Sequence, residues 1–446
     1  MRRRSLFFLS LILLLAFFVS ACGGTATPSG PTEATIARSP IPTFTSITPG
    51  EQTATPEPEA TAEKTAQPSP APSITATVQV AEATATATQA PVVRNLTHPF
   101  DSPEYGMQAF LWWRPEVADR DLGLIRDAGF GWVKQDFPWR EIEGGGKGQF
   151  AWERPDKVVE LAHDKFGLNI LARVDRQPAW ATGGRCGTGI EMGPPDNLQD
   201  WADFLTTLAS RYKGRIAGYA VWNEPNLARE WCGQPPDPAG YMKLLQTAYK
   251  AIKAADPNAI VISAGLSPTG GPMPVAMEDT EYLDKMYQAA GGSMTGYADV
   301  VGVHAPGYKA PPELSPEEVM ADPDRWGHGR YFTFRRVEDL RAIMEKYGDT
   351  DRQVAILEMG WTTDPRPESP YHWHAVTEAQ QAEYLVRAFQ YAKGHWRPWI
   401  GLMTVIYVCN VDWTENDEQY YWCITEPIYP QTITRPAYDA LAEMPK

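Results

Sequence analysis

Two glutamates in this chain stand where apolar segments stop. Glu224 follows Gly218-Tyr219-Ala220-Val221-Trp222-Asn223 and precedes Pro225, and Glu358 follows Val354-Ala355-Ile356-Leu357 and precedes Met359, Gly360 and Trp361. Ala220, Val221 and Trp222 suit a buried strand, and Pro225 has no N–H to donate to a continuing ladder, so the strand ends at the glutamate. The short apolar run 354–357 reads the same way. In a barrel of parallel strands, the C-terminal strand ends form the face on which side chains from several strands meet. Two carboxyl groups there can divide labour, one protonated and donating, the other ionised and attacking a carbon or activating water. A single strand-end carboxylate is an ordinary surface charge. The pair, 134 residues apart, leaves room for two further strands and their helices.

The ordered motifs W-N-E-P-N at Trp222 to Asn226 and I-L-E-M-G-W at Ile356 to Trp361 resemble the clan A glycoside hydrolases, most nearly families 39 and 5. That resemblance implies a (β/α)8 TIM barrel whose fourth strand presents Glu224 as acid/base and whose seventh presents Glu358 as nucleophile. It implies retaining cleavage of O-glycosidic, β-linked bonds in a carbohydrate substrate, without a cofactor or metal. Asn223 matches the position that hydrogen-bonds the sugar 2-hydroxyl, although a turn asparagine bonding local backbone is the alternative. His304 ends the sixth strand, where the clan places a His closely followed by Tyr. Here the order H-A-P-G-Y puts Tyr308 further along than the usual H-P-Y, a departure from the pattern.

Sugar rings offer flat apolar faces, so Trp139, Trp180, Trp361 and Trp413, all after strands, are expected as subsite walls, with some of the loop aromatics instead packing onto the barrel. Trp361 lies three residues past Glu358, and Trp413 in V-D-W-T resembles the clan's platform tryptophan. His372 and His374 have no third ligand nearby and read as polar surface rather than metal site. Two other functions compete on the same motifs: a non-catalytic carbohydrate-binding protein on the same barrel, and a transglycosylase.

The elements that must position these residues occupy only part of the 446-residue chain. All sixteen tryptophans lie between Trp112 and Trp422. Residues 1–21 carry Arg2, Arg3 and Arg4 and then an apolar run, the pattern of a signal peptide. Val19-Ser20-Ala21-Cys22 resembles a bacterial lipobox, which implies export, lipidation of Cys22 and anchorage at the outside of the membrane. Residues 22–97, rich in Thr, Pro and Ala, have Phe44 as their single aromatic residue and read as a disordered tether. Residues 98–446 form the expected barrel domain, a monomer in this reading. Removing the three arginines takes the formal charge from −15 to −18, which argues against nucleic acid as a partner.

With Cys22 set aside, Cys186, Cys232, Cys409 and Cys423 allow three disulfide pairings. Placement in loops after adjacent strands favours Cys186 with Cys232, and Cys409 with Cys423. Strands are expected at 105–111, 131–135, 169–174, 218–222, 259–264, 299–304, 354–358 and 400–407. The helices between them include 197–212, where Trp201, Phe204, Leu205, Leu208 and Tyr212 recur at helical spacing. Thr377 with Gln380 three residues on predicts a capping box at the start of the seventh helix.

Overall fold

The computed structural model describes residues 98–186 and 192–446. The expected signal peptide, the Cys22 lipidation site and the tether lie outside the described residues. Eight strands alternate with helices: β1 (Glu104–Gln108), β2 (Trp132–Asp136), β3 (Asn169–Val174), β4 (Gly218–Val221), β5 (Ile260–Ser263), β6 (Val301–His304), β7 (Val354–Met359) and β8 (Ile400–Val405). The intervening helices are α1 (Ala118–Asp127), α2 (Glu153–Val159), α3 (Leu198–Arg211), α4 (Pro238–Ala255), α5 (Asp279–Ala289), α6 (Arg336–Lys346), α7 (Glu378–His395) and α8 (Pro436–Glu443).

All neighbouring strands are parallel, in the order β5-β4-β3-β2-β1-β8-β7-β6. The ends of that sheet nearly meet. A bridge joins Ile262 to Val300, and Gly302 N–H donates to Ser263 Oγ at 2.9 Å. The result is the (β/α)8 barrel that strand–helix alternation predicts. Helices start where side chains can cap them. Asn197 accepts from Gln199 N–H, Asp237 accepts from Gly240 N–H, and Thr377 with Gln380 forms the expected capping box. On α3 the residues facing the barrel are Trp201, Phe204, Leu205 and Leu208, all buried, each contributing about 1.5 to 3 kcal/mol through apolar area removed from water.

Two boundaries differ from the sequence reading. The sixth strand begins at Val301 rather than Asp299, because the Asp299 carboxylate accepts from Val261 N–H at 2.8 Å and pairs with Lys253, fastening the turn before the strand. The first strand stops at Gln108, three residues short of the expected Leu111. Past that point Leu111 N–H donates to the Gln135 side chain of β2 instead of to strand backbone.

Inside the barrel the strands change character along their length. Trp132, Leu171, Ala220, Ile260, Ile262, Val300, Ala355, Leu357 and Leu402 form an apolar cluster capped by Phe100. Two residues further along β2 and β3, on the same face, stand Lys134 and Arg173, both buried. The charged layer thus sits on top of an apolar floor.

Candidate active site

The end of β4 is held from three sides. The Tyr241 hydroxyl, from α4, donates to the Val221 carbonyl at 3.0 Å and accepts from Ala264 N–H at 2.6 Å, tying the ends of β4 and β5 together. Asn226 bonds Ser267 through both its amide nitrogen and its oxygen, and also Met277 O. Between these anchors Trp222 and Glu224 adopt φ of +77° and +37°, conformations that bulky residues rarely take and that cost free energy. The strained turn turns Glu224 inward, where it is fully buried. Glycine at position 265 is required, because a Cβ there would collide with the His304 ring.

Glu358 comes from β7, in register with His304 of β6. Its Oε1 accepts from Lys134 Nζ at 2.6 Å, and Arg173 Nη1 lies 3.7 Å from the same oxygen. His304 Nδ1 stands 3.1 Å from Glu224 Oε1 and 3.7 Å from Glu358 Oε2. These oxygens therefore lie no further apart than the two distances end to end, about 7 Å, which admits the roughly 5 to 5.5 Å carboxyl spacing of double displacement and little of the wider inverting range. Burial opposes ionisation of Glu358, yet the charges of Lys134, His304 and Arg173 outweigh it and hold its carboxyl down to about 2. The same burial lowers the Lys134 ammonium, against the opposing pull of Glu358. Glu358 is thus an anion at any working pH, as an attacking carboxylate must be.

Glu224 has Arg229 Nη2 on Oε2 at 2.5 Å. Asn223 is buried beside it, with Oδ1 3.4 Å from Arg173 Nη1, so its side chain faces the charged layer instead of the local backbone. Arg173 also donates to Asp136 at 2.7 Å and lies 2.9 Å from Asp175, and Arg176 lies 3.1 Å from Asp136. Glu224, Glu358, Asn223 and His304 are therefore brought together.

The aromatic residues divide. Trp139 and Trp361 have no open face for a sugar. Trp139 stacks on Phe204 and bonds Glu143, while Trp361 lies against Gly307 and bonds the Ala310 carbonyl. Both fill space between loop and barrel because bulky indoles after a strand are the readiest filler there. Trp180 is half-buried and donates to the Glu143 carbonyl. Trp413 is buried against Phe110 and Tyr407. Tyr308 is buried among Phe332, Trp373 and His374, with its hydroxyl on the Pro268 carbonyl. The tyrosine that feels Glu358 is instead Tyr407, after β8, whose hydroxyl is pushed well above its usual range by burial and then by the Glu358 charge.

Cys186 is bonded to Cys232 and Cys409 to Cys423, with Cα atoms 4.9 and 5.1 Å apart. The first bridge ties the loops after β3 and β4, and the second closes the loop after β8. Sequence reasoning missed Lys134, Arg173 and Arg229. The first two had a signal: W-V-K-Q-D and L-A-R-V-D carry a cation inside an otherwise apolar strand, where a sheet covered on both faces has no solvent for it.

No family model matches the chain. It is 24% identical over 216 residues to a β-xylosidase of Geobacillus stearothermophilus, a match spanning 44% of this chain and 38% of that protein, so the chain aligns with well under half of that relative. Among solved structures, it is similar to a family 39 glycoside hydrolase of Bacteroides cellulosilyticus WH2, with a TM-score of 0.55 and 20% identity over 78% of this chain and 64% of that one. It is also similar to xylanase 10B of Thermotoga maritima, with a TM-score of 0.51 and 16% identity over 77% and 94% of the two chains. The chain thus shares its barrel fold with these two structures.

Proposed function

We infer that the chain is a retaining glycoside hydrolase. The Glu358 carboxylate attacks the anomeric carbon while Glu224 gives its proton to the leaving oxygen; Glu224 then deprotonates the water that opens the glycosyl ester. The observation that supports this most is the convergence of two buried carboxyl groups on one His304 nitrogen, with Glu358 held as an anion. Similarity to a β-xylosidase makes an aryl β-xyloside the first substrate to try. The sequence before residue 98 supports an extracytoplasmic, lipid-anchored setting, through the Val19-Ser20-Ala21-Cys22 run and the Thr- and Pro-rich stretch after it.

The test uses the products and two variants. Proton NMR early in hydrolysis is expected to find the β-anomer first. Glu358→Gln is expected to lose at least about 10³-fold in kcat. Glu224→Ala is expected to hydrolyse an activated aryl glycoside slowly and to be rescued by azide, which needs no base. Initial release of the α-anomer sinks the retaining mechanism. Near wild-type turnover in Glu358→Gln removes Glu358 as the nucleophile, and no hydrolysis of any glycoside by the wild type favours a carbohydrate-binding protein on this barrel.

A further inference from the structure

Beside the catalytic centre, the rim carries a cleft of about 770 Å³ between the loop after β7 and the loop after β8. Its size falls within the roughly 300–1,000 Å³ of small-molecule sites. The two loops are bonded to each other, so the walls are already in place. Thr363 N–H donates to the Tyr421 carbonyl at 3.0 Å, and the Tyr421 hydroxyl donates to the Glu415 carbonyl at 2.9 Å. A guanidinium lies over each tyrosine ring of the wall, Arg435 at 4.4 Å from the centre of Tyr420 and Arg366 at 4.7 Å from that of Tyr421.

The cleft and the catalytic centre share a wall. Tyr371, on the loop after β7, is buried and close enough to act on Arg229 and Tyr308, while His372, the next residue, and Ala375 line the cleft. Glu418 likewise feels both Asp364, in the cleft, and Arg229, which bonds Glu224.

The lining selects among ligands. Asp364, Glu378 and Glu415 supply carboxylates, and Arg435, the arginine that lines the cleft, is spent on Glu426 and on the carbonyls of Tyr420 and Cys423. That balance repels an anion. Beside the tyrosine rings the apolar lining is only Pro365, Ala375 and Val376, which offers little to a ligand without polar groups. A neutral polyol suits both kinds of wall, because each hydroxyl can donate to a carboxylate while a flat sugar face lies on a phenol ring. We propose that this cleft is an accessory saccharide site, which holds a neutral stretch of oligosaccharide or polysaccharide beside the catalytic centre. The choice of a sugar as occupant rests on the hydrolase reading.

The experiment runs the full chain carrying Glu358→Gln, which binds without turnover, by affinity electrophoresis in gels of soluble xylan, mixed-linkage glucan, galactomannan or, as a cationic polymer, chitosan. Retardation is expected in at least one neutral gel. Ala375→Trp fills the cleft, and Glu415→Ala removes an acceptor from its other wall. Each is expected to raise the dissociation constant for that polymer about fivefold or more. In the wild-type background both are expected to keep kcat/KM on an aryl glycoside within about twofold, since that substrate occupies the catalytic centre alone. The same control shows that the variants fold. A loss of retardation in either variant with aryl hydrolysis intact supports the site. Retardation in no neutral gel, retardation that survives both substitutions, or equal losses on polymer and aryl glycoside overturn it. Failure of the wild type to hydrolyse any aryl glycoside sinks the hydrolase reading instead, and is scored apart from the gels.

Discussion

The floor and the rim of this barrel are built from the same eight strands by opposite rules. At the floor, Phe100 packs edge-on against Trp132 with ring centroids 5.3 Å apart, and Leu171, Ile260, Ile262 and Leu402 fill the interior. The polar side chain bonded to Phe100 is used on both sides: Gln353 accepts from Phe100 N–H at 3.1 Å and donates to its carbonyl at 3.0 Å. At the rim, Glu358 Oε2, Glu230 Oε2 and Asp136 Oδ1 are buried and find no hydrogen-bond partner among the described residues. Among the described residues, the non-glycine positive-φ residues, Arg176, Trp222, Glu224, Cys232 and Tyr308, all follow strand ends at the rim. Burying unpaired polar atoms and strained backbone costs stability, which the apolar floor offsets. The difference gives apolar packing to one end of the strands and the charged groups to the other, the end at which barrels of this kind carry their sites.

The most severe way to break that division is at Lys134, the buried cation bonded to Glu358. Lys134→Met leaves the Glu358 anion buried with only the more distant Arg173 and His304 nearby. A loss of about 3 to 5 kcal/mol is expected, because an ion loses its partner without regaining water. Glu358 now has a folded pKa depressed below its unfolded value, so its contribution is present above about pH 4.5 and is lost as pH falls toward about 2. In Lys134→Met that acid-side window shrinks, and the acid limb of the rate profile moves to higher pH with kcat down about 10²-fold. Denaturant unfolding at several pH values and a pH–rate profile read both. An unmoved acid limb means that Lys134 does not set the Glu358 charge.

The floor answers differently. Ile262→Ala removes packing among Leu171, Ala220 and Val300 and is expected to cost about 3 kcal/mol. Activity per folded molecule should stay within about twofold, since no charged group moves. A large change in kcat at 10 °C, where the variant is folded, would show that floor and rim are coupled, contrary to the division drawn here.

This division also marks what the sequence made legible. Apolar strands, their order and the glutamates at their ends are local patterns, and all eight strands appear close to where periodicity puts them. Asn223 and His304 were legible because each sits at such an end. Lys134, Arg173 and Arg229 act through partners 224, 185 and 5 residues away in sequence, and only closure of the barrel brings the first two to Glu358. The burial of Trp139 and Trp361 was not legible for a related reason. A loop position predicts proximity to the rim but not which way an indole faces, and Trp139 and Trp361 turned toward the barrel.

The gentlest test concerns a rim carboxyl that touches neither glutamate of the pair. Glu418 Oε1 accepts from Trp422 Nε1, while its buried Oε2 has no hydrogen-bond partner among the described residues. Burial pushes the carboxyl up to about 8, against the bond from Trp422. The folded state therefore holds a proton that the unfolded chain has released, and stability falls as pH climbs from about 4.5 to about 8. Glu418→Gln keeps an oxygen for Trp422 and removes the titration. It is expected to match the wild type near pH 4.5 and to unfold about 1 to 3 °C higher at pH 8, an effect on the order of 1 kcal/mol. A gain of the same size at both pH values would mean that the glutamine merely packs better. A gain confined to alkaline pH means that the rim carries fully buried carboxyls at a cost.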